Sequence, residues 1–219
     1  MGKQKVADII KGGFDGIKAE SGYYVWWFPQ EETNALIEPL KGFIDADKLG
    51  KVQVEQIDGK TYYALYFGIA SKKGGLLQRI KWHTAVINPH TAPCVRSRTL
   101  STLRQTICGL MGLPMVGTET QEKVDEIIKK CYWEWTEHHD PHEIELENLN
   151  SENFCYPLNI KENNTNPIPE SLYESMETAQ KISDSLKPII EQQQKMTAKL
   201  HSLRKSYYLC SNILFTRKV

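Results

Sequence analysis

Gly22-Tyr23-Tyr24-Val25-Trp26-Trp27-Phe28-Pro29 is the stretch on which the fold turns. A dense aromatic and β-branched run closed by proline suits a buried strand, because such side chains pack well on a pleated surface and proline cannot continue a central ladder. A hairpin lies downstream: Val52 to Ile57 and Thr61 to Ile69 flank Asp58-Gly59, and Asp-Gly accepts the positive φ angles of a tight two-residue turn. The second hairpin strand carries Tyr66-Phe67-Gly68 near its end. A fourth strand is read at Cys131 to Thr136, around Tyr132-Trp133-Glu134-Trp135-Thr136.

Helical spacing fills the intervals. Val6 to Ile17 is a short helix frayed by Gly12-Gly13 and Gly16, and Glu31 to Leu40 follows the first strand. Leu76, Leu77 and Ile80 predict a helix over Gly75 to His83, which sets Arg79 and His83 one turn apart on one face. Thr99 to Met111 is a further helix with Thr99 or Ser101 as N-cap. Thr118 caps the next, whose buried face is Val124, Ile127, Ile128 and Cys131, and Glu143 to Leu149 is short. The pattern predicts an α/β (α+β) fold with a small mixed or antiparallel central sheet flanked by helices.

The chain beyond the core changes character. Lys161 to Pro169 is crowded with Asn, Pro and Glu and has no periodicity, whereas Ile182, Leu186, Ile189, Gln193, Met196, Leu200 and Leu203 alternate by four and three like a coiled-coil seam interrupted by Pro188. The reading divides the chain into an N-terminal helical extension (1–20), a core domain (21–160), a linker (161–169) and a C-terminal helical region (170–219). The C-terminal stripe either packs on the body or pairs two chains as a homodimer.

With 40% hydrophobic and 25% charged residues among 219, composition excludes fibrous and disordered classes. No apolar run approaches the ~18–20 residues of a membrane span, and Met1 to Lys18 alternates charged and apolar residues without a signal-peptide core. A cytoplasmic protein with no membrane partner is expected. The five cysteines are odd in number and scattered without CxxC pairs, which predicts reduced structural thiols. The formal net charge is zero, yet its distribution is uneven. From Tyr66 to Leu110 the chain carries Lys72, Lys73, Arg79, Lys81, Arg96, Arg98 and Arg104 with no acid, so a basic, phosphate-binding surface fits a neutral chain.

Four elements stand in one order: Gly22-Tyr23-Tyr24; Tyr66-Phe67-Gly68; Arg79 with His83; and Glu147, followed twelve positions later by Asn159. From Ser21 to Asn159 the chain resembles the GIY-YIG nucleases, which cut phosphodiester bonds with a tyrosine, an arginine and one carboxylate-bound divalent metal. The resemblance implies Tyr24 and Tyr66 on neighbouring strands at the sheet edge, either one holding or deprotonating the attacking water. It implies Arg79 and His83 on phosphate, Glu147 as sole protein ligand of Mg²⁺ or Mn²⁺, and Asn159 bracing the site through hydrogen bonds. A Gly68 without Cβ lets substrate or the arginine helix approach the backbone. DNA is the implied substrate, with Lys72, Lys73, Lys81, Arg96, Arg98 and Arg104 as added phosphate contacts, in an endonuclease of restriction, repair or mobile-element type.

The sequence departs from the minimal pattern in the long stretch Glu31 to Lys60 between the tyrosine elements, in Phe67 for a branched aliphatic, and in Tyr23 for isoleucine. Two rival classes remain: a catalytically silent adaptor that keeps the fold, and a zinc protein suggested by His138, His139 and His142 near Asp140, Cys131 and Cys155. The histidine cluster lacks a helical His-x3-His geometry and paired cysteines, and a polar loop is the simpler account.

Overall fold

The computed structural model describes residues 2–41, 44–71, 73–84, 101–113 and 118–159. Five antiparallel strands form one sheet in the order β1-β5-β2-β4-β3, with β1 Gly2–Lys5, β2 Gly22–Pro29, β3 Val54–Ile57, β4 Lys60–Ala70 and β5 Tyr132–Glu137. The aromatic run is therefore the central strand, hydrogen-bonded on both sides. The hairpin turn has the expected geometry, with Asp58 at φ 51° and Gly59 at φ 73°.

Around the sheet lie α1 Val6–Lys11, α2 Gln30–Ile37, α3 Ala46–Leu49, α4 Gly75–His83, α5 Thr102–Leu110, α6 Thr118–Lys130 and α7 Pro141–Leu149. Alternation along the strands sorts the core into two layers. One face carries Tyr24, Trp26, Tyr66 and Trp133 and packs against α1, α2, α4, α5 and α6. The other carries Val25, Trp27, Phe67 and Ile69 and packs against Leu149 and Ile144 of α7 and against Tyr156.

The N-terminal segment differs from the helical extension expected of it. Gly2–Lys5 adds an edge strand to β5, and Val6 and Ile9 of the following turn are fully in the core. Its Gly-Lys-Gln-Lys sequence has no strand signature, because an edge strand needs only one partner and lysines suit its open side.

A bulge decides which face Tyr66 occupies. Phe28 pairs with Tyr63 and Trp27 with Ala64, but Trp26 pairs with Tyr66, so Leu65 and Tyr66 together oppose one residue. Without that extra residue, period-two alternation would turn Tyr66 to the α7 face; with it, Tyr66 shares the α4–α5 face with Tyr24.

Candidate active site

Tyr24 and Tyr66 lie on adjacent strands with ring centroids 6.5 Å apart, and they are 2% and 5% exposed. Tyr24 is on the central strand and not at the sheet edge as expected, because β5 and β1 extend the sheet beyond β2, whereas Tyr66 lies on β4 past Tyr63, where pairing with β3 ends. Gly68 pairs with Tyr24 across the ladder, and a Cβ placed on it would meet the Tyr24 Cζ and Oη at 2.6 Å. One group that requires glycine here is thus the phenol of Tyr24.

Helix α4 begins at Gly74, whose φ of 86° only glycine adopts readily, and buries Leu76, Ile80 and His83. His83 is 2% exposed, and its ring lies 5.3 Å from Tyr24 and 5.9 Å from Tyr66 by centroids. Its Nε2 is 2.8 Å from the Tyr24 hydroxyl and its Nδ1 2.5 Å from Ser101 Oγ. Burial, then the positive charges of Arg79 and Arg104, hold its pKa well below the ordinary imidazole value, so the ring is neutral at pH 7. The Tyr66 hydroxyl meets Thr102 Oγ1 at 2.8 Å.

The two arginines of this region have different surroundings. Arg79 is partly exposed, stacks over the Trp82 ring at 5.2 Å, and makes no ion pair among the described residues. Arg104, expected on the phosphate-binding surface, is 1% exposed. Its guanidinium donates to Asp125 Oδ1 at 2.6 Å and to the His83 carbonyl at 3.0 Å, so it joins α4, α5 and α6 from inside. Buried against a carboxylate, it is removed from the set of phosphate contacts.

Asn159 closes the open side of β4. Pairing with β3 ends at Tyr63, beyond which the Leu158 amide donates to the Leu65 carbonyl at 2.9 Å. The Asn159 side chain then accepts from the Phe67 amide at 2.8 Å and donates to the Phe67 carbonyl at 2.7 Å. A single carboxamide thus continues the ladder at the centre of the Tyr-Phe-Gly element.

The GIY-YIG catalytic domain model matches residues 22–182, most of the chain. The protein belongs to the GIY-YIG family. That membership gives it a nuclease-type domain, and the family generally uses divalent metal ions. No curated protein matches the chain. No solved structure matches it either.

Within this GIY-YIG domain, Tyr24, Tyr66 and His83 come together, with Arg79 one turn before His83 on the same helix. Glu147 does not join them through any hydrogen bond or ion pair among the described residues. It is exposed on α7, which packs on the sheet face opposite the two phenols. Among the described residues no three His, Cys, Asp or Glu side chains gather as a metal-binding group, and His138, His139, Asp140 and His142 lie in the exposed or half-buried start of α7 and the loop before it. Lys73 is exposed and Lys81 lies over the Phe14 ring at 5.4 Å. Lys72, Arg96, Arg98 and the C-terminal stripe lie outside the described residues. No helix among the described residues is long and apolar enough to cross a membrane.

Ser101 and Thr102 are contacts that sequence reasoning did not assign to the site. The signal for Ser101 was its capping position: its Oγ accepts from the Arg104 amide at 3.2 Å at the start of α5. Nothing local marks Thr102.

Proposed function

We propose that the protein is a divalent-metal-dependent DNA endonuclease that hydrolyses phosphodiester bonds. The observation that carries the reading is the Tyr24–His83 hydrogen bond, 2.8 Å long, one helical turn from an arginine that has no carboxylate partner among the described residues. A buried neutral imidazole makes a poor final proton acceptor, so His83 serves to orient the Tyr24 phenol and hold its oxygen where the attacking water loses its proton. Tyr66, fixed by Thr102, orients the water or the scissile phosphate. Arg79 supplies a planar fork for phosphate oxygens, and its stacking on Trp82 limits the rotamers it must lose on binding. Lys73 and Lys81 add charge along the same helix approach.

The donor chemistry fits a hard cation. Glu147 is a solvent-exposed carboxylate, and Mg²⁺ or Mn²⁺ held by one carboxylate retains most of its waters. Bound there, the ion would neutralise charge on the phosphate. Asn159 holds the Phe67 backbone, between Tyr66 and Gly68, through its amide and its carbonyl.

Two observations favour the second reading, a silent adaptor: both phenols are closed to solvent, and Glu147 is exposed on α7, the helix that packs on the opposite face. A phosphodiester reaches Tyr24 only when the site opens. Cleavage of supercoiled plasmid with Mg²⁺ or Mn²⁺ decides between them, run beside Glu147→Gln, Arg79→Ala and an EDTA control. Nicked or linear product lost in both variants and in EDTA supports the nuclease. Undiminished DNA binding without cleavage by the native protein supports the adaptor.

A further inference from the structure

The strongest unassigned feature is the chain of hydrogen bonds that enters His83 from the first turn of α5. Ser101 Oγ already accepts the Arg104 amide at 3.2 Å and lies 2.5 Å from His83 Nδ1. Ser101 is 7% exposed, so its single proton needs an acceptor inside the protein. Two tautomers of the neutral ring are available. If Nδ1 carried the proton, Ser101 Oγ would accept twice, and its own hydrogen would have no acceptor among the described residues. If Nε2 carries it, the Ser101 hydroxyl donates to Nδ1, Ser101 and His83 are both fully used, and the hydrogen left over is that of the Tyr24 hydroxyl, a residue with a further interaction of its own.

We infer that Ser101, held by Arg104, is a positioning residue that fixes His83 in the Nε2–H tautomer, so that the imidazole donates to the Tyr24 phenol oxygen. The donors then run in one direction: Arg104 amide to Ser101 Oγ, Ser101 hydroxyl to His83 Nδ1, and His83 Nε2–H to Tyr24 Oη. The Arg104 side chain supports the same arrangement from the backbone, since it grips the His83 carbonyl at 3.0 Å while Asp125 orients it. A donor aimed at a phenol oxygen stabilises the phenolate more than the phenol, which makes Tyr24 a better proton acceptor. This role for Tyr24 rests on the nuclease reading; the tautomer does not.

Ring ¹⁵N spectra of the histidine-labelled full chain test it directly, in the native protein and in Ser101→Gly and Ser101→Thr. Glycine is tolerated at a helix N-cap, so the first variant is expected to fold while removing the hydroxyl, and threonine restores it. The expected result is a neutral His83 protonated on Nε2 in the native and Ser101→Thr proteins, and a shift towards Nδ1–H in Ser101→Gly. A native ring protonated on Nδ1, or a Ser101→Gly ring unchanged from native, overturns the inference. On plasmid, Ser101→Gly should lower kcat about tenfold with KM unchanged, and Ser101→Thr should recover it. A native protein that cuts nothing while its His83 has the assigned tautomer would defeat the nuclease reading and leave the tautomer standing.

Discussion

Gly68→Ala is the sharpest perturbation this site offers, because it adds one methyl group at a known place. The new Cβ would lie 2.6 Å from both Cζ and Oη of Tyr24, about 1 Å inside the ~3.5–4.0 Å separation at which carbon atoms attract. Tyr24 is 2% exposed and bordered by Tyr66, His83 and Trp133, so its ring has little room to withdraw. Overpacking of this kind costs about 1–3 kcal/mol. A displaced phenol also breaks its contact with His83 Nε2, and leaving a buried polar group unsatisfied costs a further ~1–3 kcal/mol. A total of about 2–6 kcal/mol follows, a fall in Tm of roughly 4–24 °C at the ~2–4 °C per kcal/mol of a domain this size.

Urea unfolding of a double-mutant cycle with Tyr24→Ala isolates the clash. Tyr24→Ala alone is expensive, about 3–5 kcal/mol for a buried aromatic, but it removes the atoms that the added methyl group would strike. In that background Gly68→Ala should cost nothing, or even stabilise by ~0.5–1 kcal/mol, since alanine loses less backbone entropy than glycine. The coupling between the positions should therefore exceed about 2 kcal/mol. Additive effects, or a Gly68→Ala protein within ~0.5 kcal/mol of native, would refute the packing argument.

Other expectations follow from the same contacts. Asn159→Ala leaves the Phe67 amide and carbonyl without the partners that meet them at 2.8 and 2.7 Å, and urea unfolding should record a loss of about 2–5 kcal/mol. For His83, the unfolded ring takes up a proton below about pH 6.5 while the folded ring stays neutral, so its stability contribution is intact above that pH and falls as pH drops, by up to ~1.4 kcal/mol per unit. Subtracting the pH–stability curve of His83→Gln from that of the native protein should expose this slope; parallel curves would contradict it. Arg79→Ala should leave Tm nearly unchanged and reduce the salt slope of DNA binding by about one phosphate contact, whereas Arg104→Ala should destabilise by about 3–5 kcal/mol by stranding Asp125.

The parts of this fold that were legible in the sequence are those whose cause is local. Asp58-Gly59 needs only its own φ angles to declare a hairpin, and the Gly22–Pro29 run declares a buried strand by its density of aromatic side chains. Helix α4 followed from the spacing of Leu76 and Ile80, and its bounds, Gly75–His83, agree with the expectation. What escaped reading depends on a partner distant in sequence. Strand β1 exists because β5 offers it an edge. The bulge that puts Tyr66 beside Tyr24 is a register shift between two strands, and Leu65 looks like any other strand residue until the pairing is known. Arg104 resembled a surface cation because Asp125, which buries it, belongs to another helix. In the same way Ser101 announced a helix start, and only the fold brings that start to His83.

The two phenols and Glu147 are set by different packing layers, and this has a structural consequence. The first turn of α5 supports both tyrosines, Thr102 at Tyr66 and Ser101 through His83 at Tyr24, so a disturbance there moves the pair together. Glu147 belongs to α7, whose neighbours Ile144 and Leu149 pack on the other face. Beside that direct packing, the described hydrogen bonds that lead from α7 towards the phenols run through the chain that follows it: Tyr156 donates to Asn148 Oδ1 at 3.3 Å, and Asn159 then holds the Phe67 backbone on both sides. Burial raises the Tyr156 phenol pKa, which keeps that donor protonated through the physiological range. Strand β4 is therefore where the layers meet, with Phe67 fixed from the α7 side and Tyr66, its immediate neighbour, fixed from the α5 side. Asn159 matters to the tyrosines because it pins the residue next to Tyr66, although it touches neither phenol in any described hydrogen bond.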